Sequence, residues 1–423
     1  MDQATSIEIA KEILRDAGVI CAAGTLCGYV AKKTHIPDVV LLLLVGVLAG
    51  PEFLGVVDVT GNPALNALSS LILIFGASYI LFDGGASVRL KVLKEVWITI
   101  TVLATAGVII TAAVTSLAAY YLLNLPVIVA MLLGAVIAST DPATLVPIFR
   151  QIKVSDRVAH TVMSESAFND ATGAILTFAV LGIATGHAFS TSAALGDLAW
   201  QLAIGIGLGI SFGYLAAVTI AHDKYNFLAA YAPVVSIAAV TGAYVTADAL
   251  QASGFMAVFA FGITLGNRDT FGLRMSKEDD EKLEYFTVTT AFLMRMFIFI
   301  LLGTQVDFAL MNRYLVGGVA LIVIFMLVAR PLAVFACALP DRHAKWCRNE
   351  MLFMCWTRET GVIPGALAGI LVGMNAPGAH IIASVTFIAI LMTILIQGTT
   401  TKWLAARLGL LASEDPGKVN RGA

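Results

Sequence analysis

Apolar and polar positions alternate along this chain in long blocks. A helix needs roughly 20 mostly apolar residues to cross a bilayer, at a rise of about 1.5 Å per residue. Thirteen blocks meet that rule, at about 13–31, 37–57, 65–83, 93–123, 127–149, 157–183, 193–221, 227–247, 253–266, 285–306, 314–339, 347–373 and 378–404. The pattern predicts an all-α polytopic membrane protein with about thirteen transmembrane helices. The odd count and two interrupted blocks suggest inverted repeats, roughly blocks one to six against eight to thirteen around block seven.

Composition fits a membrane protein. Of 423 residues 59% are hydrophobic and 13% charged, about half the charge of a soluble domain. The net charge of −2 points away from nucleic acid and leaves the lipid bilayer as the first partner. The five cysteines, Cys21, Cys27, Cys337, Cys347 and Cys355, fall in or beside apolar runs without a CxxC pair. They read as small core residues, with no redox or resident metal site. The N-terminal "MDQATSIEIAKEILRDAG" lacks the basic region of a cleaved signal, so the first block is expected to stay.

Lys and Arg accumulate on the cytoplasmic side of a membrane. With the N-terminus outside and thirteen crossings, the cytoplasmic ends hold 20 of the 26 basic residues. Lys11, Arg15 and Arg313 fall outside, and Arg295, Arg330 and Arg358 fall within helices. The N-terminus is therefore expected outside and the C-terminus, a short tail over about 411–423, in the cytoplasm.

A few ionisable residues remain at membrane depth: Asp83, Asp141, Glu165, Asp170, Arg295, Arg330, Arg358 and Glu359. Charges there are costly and tend to be functional. The acids cluster in blocks five and six, which asks for a mobile cation. Block five carries "ASTDPATL". Pro142 lacks an N–H and disfavours helical backbone at Asp141, so the helix should break at Ser139–Thr140–Asp141. Unwound backbone at that depth must be buried in protein or line a watery cavity. Its carbonyls, the Thr140 hydroxyl and the Asp141 carboxylate together suit an alkali cation.

Block six carries "SESAFND". At about 100° per residue from Glu165, Asn169 falls at about 40°, Ser166 at about 100° and Asp170 at about 140°. One arc thus holds two carboxylates, a hydroxyl and a carboxamide. A proton and a cation can compete for a carboxylate in a partly desolvated pocket, and Asp170 is the expected exchanging group. Asn169 adds a dipole but no second titrating charge, which favours one proton per monovalent cation.

Arg330, in "VARPLAVF", should pair with a carboxylate; Glu165 is the natural partner if blocks six and eleven meet. Snorkelling is the alternative. Block twelve reads "CWTRETGVIPGALAG", with Thr360, Gly361 and Pro364 as breakers; Arg358 and Glu359 beside the break read as gating or supporting residues, or a plain salt bridge. Arg295 reads as satisfying helix ends near the crossing, Asp83 as a helix end near the cytoplasmic face. His160 and the "EDDEKLE" run read mostly as solvated loop features.

Taken in order, "STDPATLVPIF", "ESAFND" and "VARPLAVF" resemble the cation:proton antiporter-1 family, which includes the NhaP-type sodium/proton antiporters and the animal NHE exchangers. The resemblance covers nearly the whole membrane chain. It implies an NhaA/NhaP-like fold with two broken crossing helices. It also implies a homodimer in the inner (plasma) membrane, with a dimerisation domain (about 1–95 and, in part, 193–306) and a moving core (about 93–183 and 285–404). By match, the ion-binding residues fall on Asp141, Ser166 and Asp170, supported by the Thr140 carbonyl and Asn169, and the buried ion pair on Glu165 and Arg330. The implied activity is Na⁺/H⁺ exchange, with K⁺ or Li⁺ as other cations, and no cofactor beyond the transported ions. One departure stands out: Thr360 occupies the place of the Arg in the family's L-R-G-A motif, and Arg358 lies two residues earlier. Two other classes fit the sequence less well. A cation channel would also use broken helices, but no repeated filter or ring of acids occurs. An intramembrane aspartyl protease would carry a GxGD element, and none is found.

Overall fold

The computed structural model describes residues 3–34, 37–57, 63–140, 154, 156–186, 191–222 and 224–411. Its secondary structure is helical, and a helix lies in each of the thirteen apolar blocks. These are α1 (Gln3–Thr34), α2 (Asp38–Ala49), α3 (Pro63–Ser87), α4 (Leu90–Val102), α5 (Val108–Leu123), α6 (Val127–Ile137), α7 (Asp156–Ala184), α8 (Thr191–Ala221), α9 (Ala232–Ala249), α10 (Gly254–Gly266), α11 (Lys277–Thr304), α12 (Phe308–Ile324), α13 (Arg330–Ala338), α14 (Arg348–Trp356), α15 (Val362–Gly373), α16 (Ala379–Thr393) and α17 (Thr399–Arg407). By length and composition, nine spans among the described residues can cross a membrane, and α2, α6, α10 and α15 are shorter apolar helices.

Three joins are π turns inside continuous helical spans. Leu103–Gly107 links α4 to α5, Phe325–Ala329 links α12 to α13, and Ile394–Gly398 links α16 to α17. Such turns loosen one hydrogen-bond repeat and recur at functional sites. Hydropathy does not register them, because the apolar pattern runs through without interruption.

Differences from the expected elements have local causes. The block at 37–57 is helical only to Ala49, because the chain then folds back: the N–H groups of Val56 and Val57 both reach the Ala49 carbonyl. In block twelve the helix stops at Trp356 and resumes at Val362, so the break lies at 357–361. Pro364 lies within the first turn of α15, where its missing N–H costs no internal bond. Cys347 is exposed at the N-cap of α14, whereas Cys27, Cys337 and Cys355 are buried. The "EDDEKLE" run is helical rather than a loop; it opens α11, where the Ser276 hydroxyl accepts the Asp279 N–H at 3.1 Å.

Helix pairs pack where small residues let backbones approach. A Cβ placed on Gly46 of α2 would lie 2.3 Å from the Ile300 carbonyl oxygen of α11. One placed on Gly303 would lie 2.6 Å from the Leu43 carbonyl oxygen. This is the close packing membrane helices use when water supplies no hydrophobic drive. In the same way α10 packs against α3 and α8, while α7 packs against α4 and α6. The α6 and α7 contact carries the polar residues described next.

Candidate functional site

The end of α6 and the middle of α7 build the site. After Ile137 the backbone leaves the helix through Ala138 and Ser139, and Thr140 follows in non-helical backbone. The Thr140 N–H thus lacks a helical acceptor in a buried place and must find another. It donates to Asn169 Oδ1 at 2.9 Å. The Asn169 amide nitrogen donates to Thr140 Oγ1 at 2.7 Å and to Glu165 Oε1 at 2.9 Å. One carboxamide therefore holds both the backbone and the side chain of the broken segment.

Ser166 completes the join. Its hydroxyl donates to the Thr140 carbonyl at 2.6 Å and lies 2.8 Å from Thr140 Oγ1. Three oxygens, two hydroxyl and one carbonyl, thus converge where the helix opens, the hard-oxygen set that suits an alkali cation. Asp170 sits one turn along from Ser166 on α7 and is buried, as are Thr140, Ser166 and Asn169. Asp141 lies outside the described residues.

Gly173, one turn beyond Asn169, sets how closely α7 approaches the break. A Cβ there would lie 2.9 Å from the Ser139 Cβ, nearer than real Cβ contacts come. A side chain at 173 would push directly on the residue before Thr140.

Glu165 and Arg330 meet across α7 and α13. Arg330 Nη1 donates to Glu165 Oε1 and Nη2 to Oε2, each at 2.9 Å, and Nε donates to the Met354 carbonyl at 3.1 Å. This bidentate fork uses the geometry that distinguishes Arg from Lys. Arg330 is 2% exposed, so snorkelling toward a polar loop does not occur. Arg330, Glu165, Asn169 and Thr140 form one chain of hydrogen bonds from α13 through α7 to the broken end of α6.

Arg358 approaches the same end from the second break. Its Nη1 donates to Thr111 Oγ1 of α5 at 3.0 Å, and Nη2 donates to the Ala138 carbonyl. The guanidinium carbon lies 4.7 Å from the centre of the Phe325 ring, at the start of the π turn before Arg330. Arg358 is also within electrostatic reach of Glu165 and Asp170. A cation on an exposed helix carbonyl is favourable by the helix dipole. Thr111, unmarked in sequence, anchors it; a lone hydroxyl in an apolar helix ordinarily bonds back to its own backbone, as Thr111 also does with Gly107 at 2.8 Å.

The remaining residues separate. Arg295 on α11 lies within electrostatic reach of Asp83 on α3, away from the Glu165–Asn169–Thr140 chain of hydrogen bonds. Glu359 is fully buried and faces α16–α17: its Oε1 lies 3.0 Å from where a Cβ on Gly398 would be. Arg358 and Glu359, adjacent in sequence, thus turn to different neighbours.

Comparison with known proteins accords with this geometry. A family model described as "Sodium/hydrogen exchanger, transmembrane" matches residues 21–407. The chain is 31% identical to Na(+)/H(+) antiporter 1 of Methanocaldococcus jannaschii, across 92% of this chain and 94% of that protein. It is 27% identical to the K(+)/H(+) antiporter NhaP of Alkalimonas amylolytica, across 95% of this chain and 67% of that protein. The solved structure of the sodium proton antiporter MjNhaP1 from Methanocaldococcus jannaschii at pH 8 superposes with a TM-score of 0.80 at 29% identity, covering 94% of this chain and 99% of that one. A multi-pass helical membrane protein with both helix breaks inside the matched region, the chain belongs to the sodium/hydrogen exchanger transmembrane family.

Proposed function

We propose that this chain is a secondary antiporter that exchanges a monovalent cation for a proton by alternating access, with Asp170 binding each in turn. The carrying observation is the oxygen cluster of Thr140 and Ser166 at an opened helix end, one turn from the buried Asp170. The names of the relatives support exchange of Na⁺ or K⁺ for H⁺. Asp141 is proposed as a further ligand by its place after Thr140 in sequence.

Asn169 and Glu165 are proposed as supports. Glu165 is bound on both oxygens by Arg330, and Asn169 is neutral and engaged with Thr140. That leaves Asp170 as the group on α7 expected to trade a proton for a cation, which favours one proton per cation and no net charge moved. Arg358 is proposed to hold the end of α6 while the site empties.

Na⁺ is the favoured cation. A K⁺-selective exchanger is the second reading, supported by the K(+)/H(+) name of the Alkalimonas relative. The proposed setting is the inner (plasma) membrane, N-terminus outside and C-terminus in the cytoplasm. A homodimer is proposed too, built on a scaffold of about 1–95 and part of 193–306 around a core of about 93–183 and 285–404.

The test is reconstitution in liposomes loaded with a pH dye under an imposed pH gradient, adding Na⁺, K⁺ or Li⁺ in turn. Antiport predicts cation-dependent dissipation of the gradient that does not change when the membrane potential is clamped. A current that follows voltage, with no coupled proton movement, would indicate a channel and reject the proposal.

A further inference from the structure

The two helix breaks are tied by similar devices. At the first, the Thr140 N–H donates to a side chain of the following helix, Asn169 Oδ1 at 2.9 Å. At the second, the Thr360 N–H donates to Thr393 Oγ1 of α16 at 3.0 Å. The residue before Thr360 is Glu359, fully buried, with its carboxylate against Gly398. Thr393 and Gly398 bracket the π turn at Ile394–Gly398, and Gln397 lies in that turn, fully buried.

Buried polar side chains normally have partners. Among the described residues, the Thr360 hydroxyl and both polar atoms of the Gln397 amide have no hydrogen-bond partner. Gln397 follows Thr393 by four residues and precedes Gly398 by one, so the stretch it belongs to touches the Glu359–Thr360 pair at both ends. The second opened helix and the turn it touches thus carry a carboxylate, a hydroxyl and an amide, donor types also found around Thr140. Arg358, the neighbouring cation in sequence, is directed instead to Thr111 and Ala138.

We propose that Glu359, Thr360 and Gln397 form a second monovalent-cation site, the counterpart of the Thr140–Ser166–Asp170 site in the other half of the chain. The ligand class is a dehydrated alkali ion held by oxygen. Its place apart from Asp170 makes it a resident site, whose occupancy does not follow the proton on Asp170. The glycine at 398 leaves space for the Glu359 carboxylate.

Thallous ion is the probe, soaked at saturating concentration into crystals of the full chain and located by anomalous scattering, with rubidium-86 binding to purified protein as a second count. The expected result is an anomalous peak between Glu359 and the 394–398 turn that persists in Asp170→Asn and vanishes in Glu359→Gln and in Gln397→Leu. The rubidium stoichiometry is expected to fall from two to one in Asp170→Asn and from two to one in Gln397→Leu. Absence of a peak at Glu359 in wild-type crystals that show one at Asp170 would overturn the inference. A peak at Glu359 with none at Asp170 would support it while contradicting the proposed transport site. Gln397→Leu leaves the carboxylate in place, so a correctly folded variant that retains the peak also overturns the role of the amide.

Discussion

Asn169 grips Thr140 twice, its amide oxygen on the Thr140 N–H at 2.9 Å and its amide nitrogen on the Thr140 hydroxyl at 2.7 Å. The residue read in sequence as a neutral supporting dipole is, in the structure, the fastener of the opened helix. Replacing it with Ala removes both bonds and the link to Glu165. Each net hydrogen bond is worth roughly 1 kcal/mol, and more where a buried partner is stranded. Asn169→Ala is expected to lower kcat/KM for the cation by about 10- to 100-fold, since about 1.4 kcal/mol corresponds to a factor of ten. Cation-dependent transport in liposomes, normalised to folded protein by gel filtration, measures this.

Arg330 and Glu165 are both buried, so removing one strands the other. Breaking such a pair costs about 3–5 kcal/mol, while replacing both members is often far milder. Arg330→Met alone is expected to destabilise strongly, and adding Glu165→Gln to it to recover much of the loss. Thermal unfolding in detergent across the double-mutant cycle reads the coupling. Additive losses would show that the two side chains do not act together.

Hydropathy is enough to locate a helix in every apolar block, because lipid demands long apolar spans with internally satisfied backbone. Two signals in the site were equally local: Pro142 after Asp141 marks the first break, and Arg330 in an oily helix demands an acid. What escapes the sequence is set by three-dimensional approach. Nothing in "VIITAAVT" marks Thr111 as the partner of Arg358, and nothing in "ILIQG" announces a π turn. Pro364 reads as a breaker, yet the second break ends before it, because proline is tolerated in the first turn of a helix. The division of labour between Arg358 and Glu359 depends on which helices lie on either side of the break.

Gly173 is a simple case of such an approach. With its Cβ position 2.9 Å from the Ser139 Cβ, Gly173→Ala forces α7 and the broken segment apart. Overpacking of this size costs roughly 1–3 kcal/mol. The variant is expected to fold with a lowered melting temperature and to raise the KM for the cation several-fold, since Thr140 moves with Ser139. Transport measured over a range of cation concentrations separates this from simple loss of protein.

Asp341 supplies a pH prediction outside the membrane spans. Burial acts to raise its pKa, but hydrogen bonds from the Thr99 hydroxyl at 2.5 Å and from the Ala344 and His343 N–H groups outweigh it and hold the carboxyl below its ordinary range. A carboxylate with a lowered folded-state pKa contributes stability above its unfolded pKa of about 3.9, lost as pH falls through the folded value. Asp341→Asn should therefore lower stability by about 1.5–3 kcal/mol at pH 7, typical of a hydrogen bond to a charged group. The gap from wild type should close below about pH 4. Trp346 donates to Thr99 Oγ1 at 2.8 Å, so its fluorescence reports unfolding at this cluster.

If Asp170 alone exchanges proton for cation, binding of the cation must drive a proton off it, and that release can be measured. Purified protein in weakly buffered detergent with a pH indicator is titrated with NaCl at a pH at which the ion-free Asp170 still holds its proton, and bound Na⁺ is counted in parallel. One proton is expected to leave per ion bound at the Asp170 site in wild type, and none in a folded Asp170→Asn variant. Undiminished proton release from that variant would contradict it.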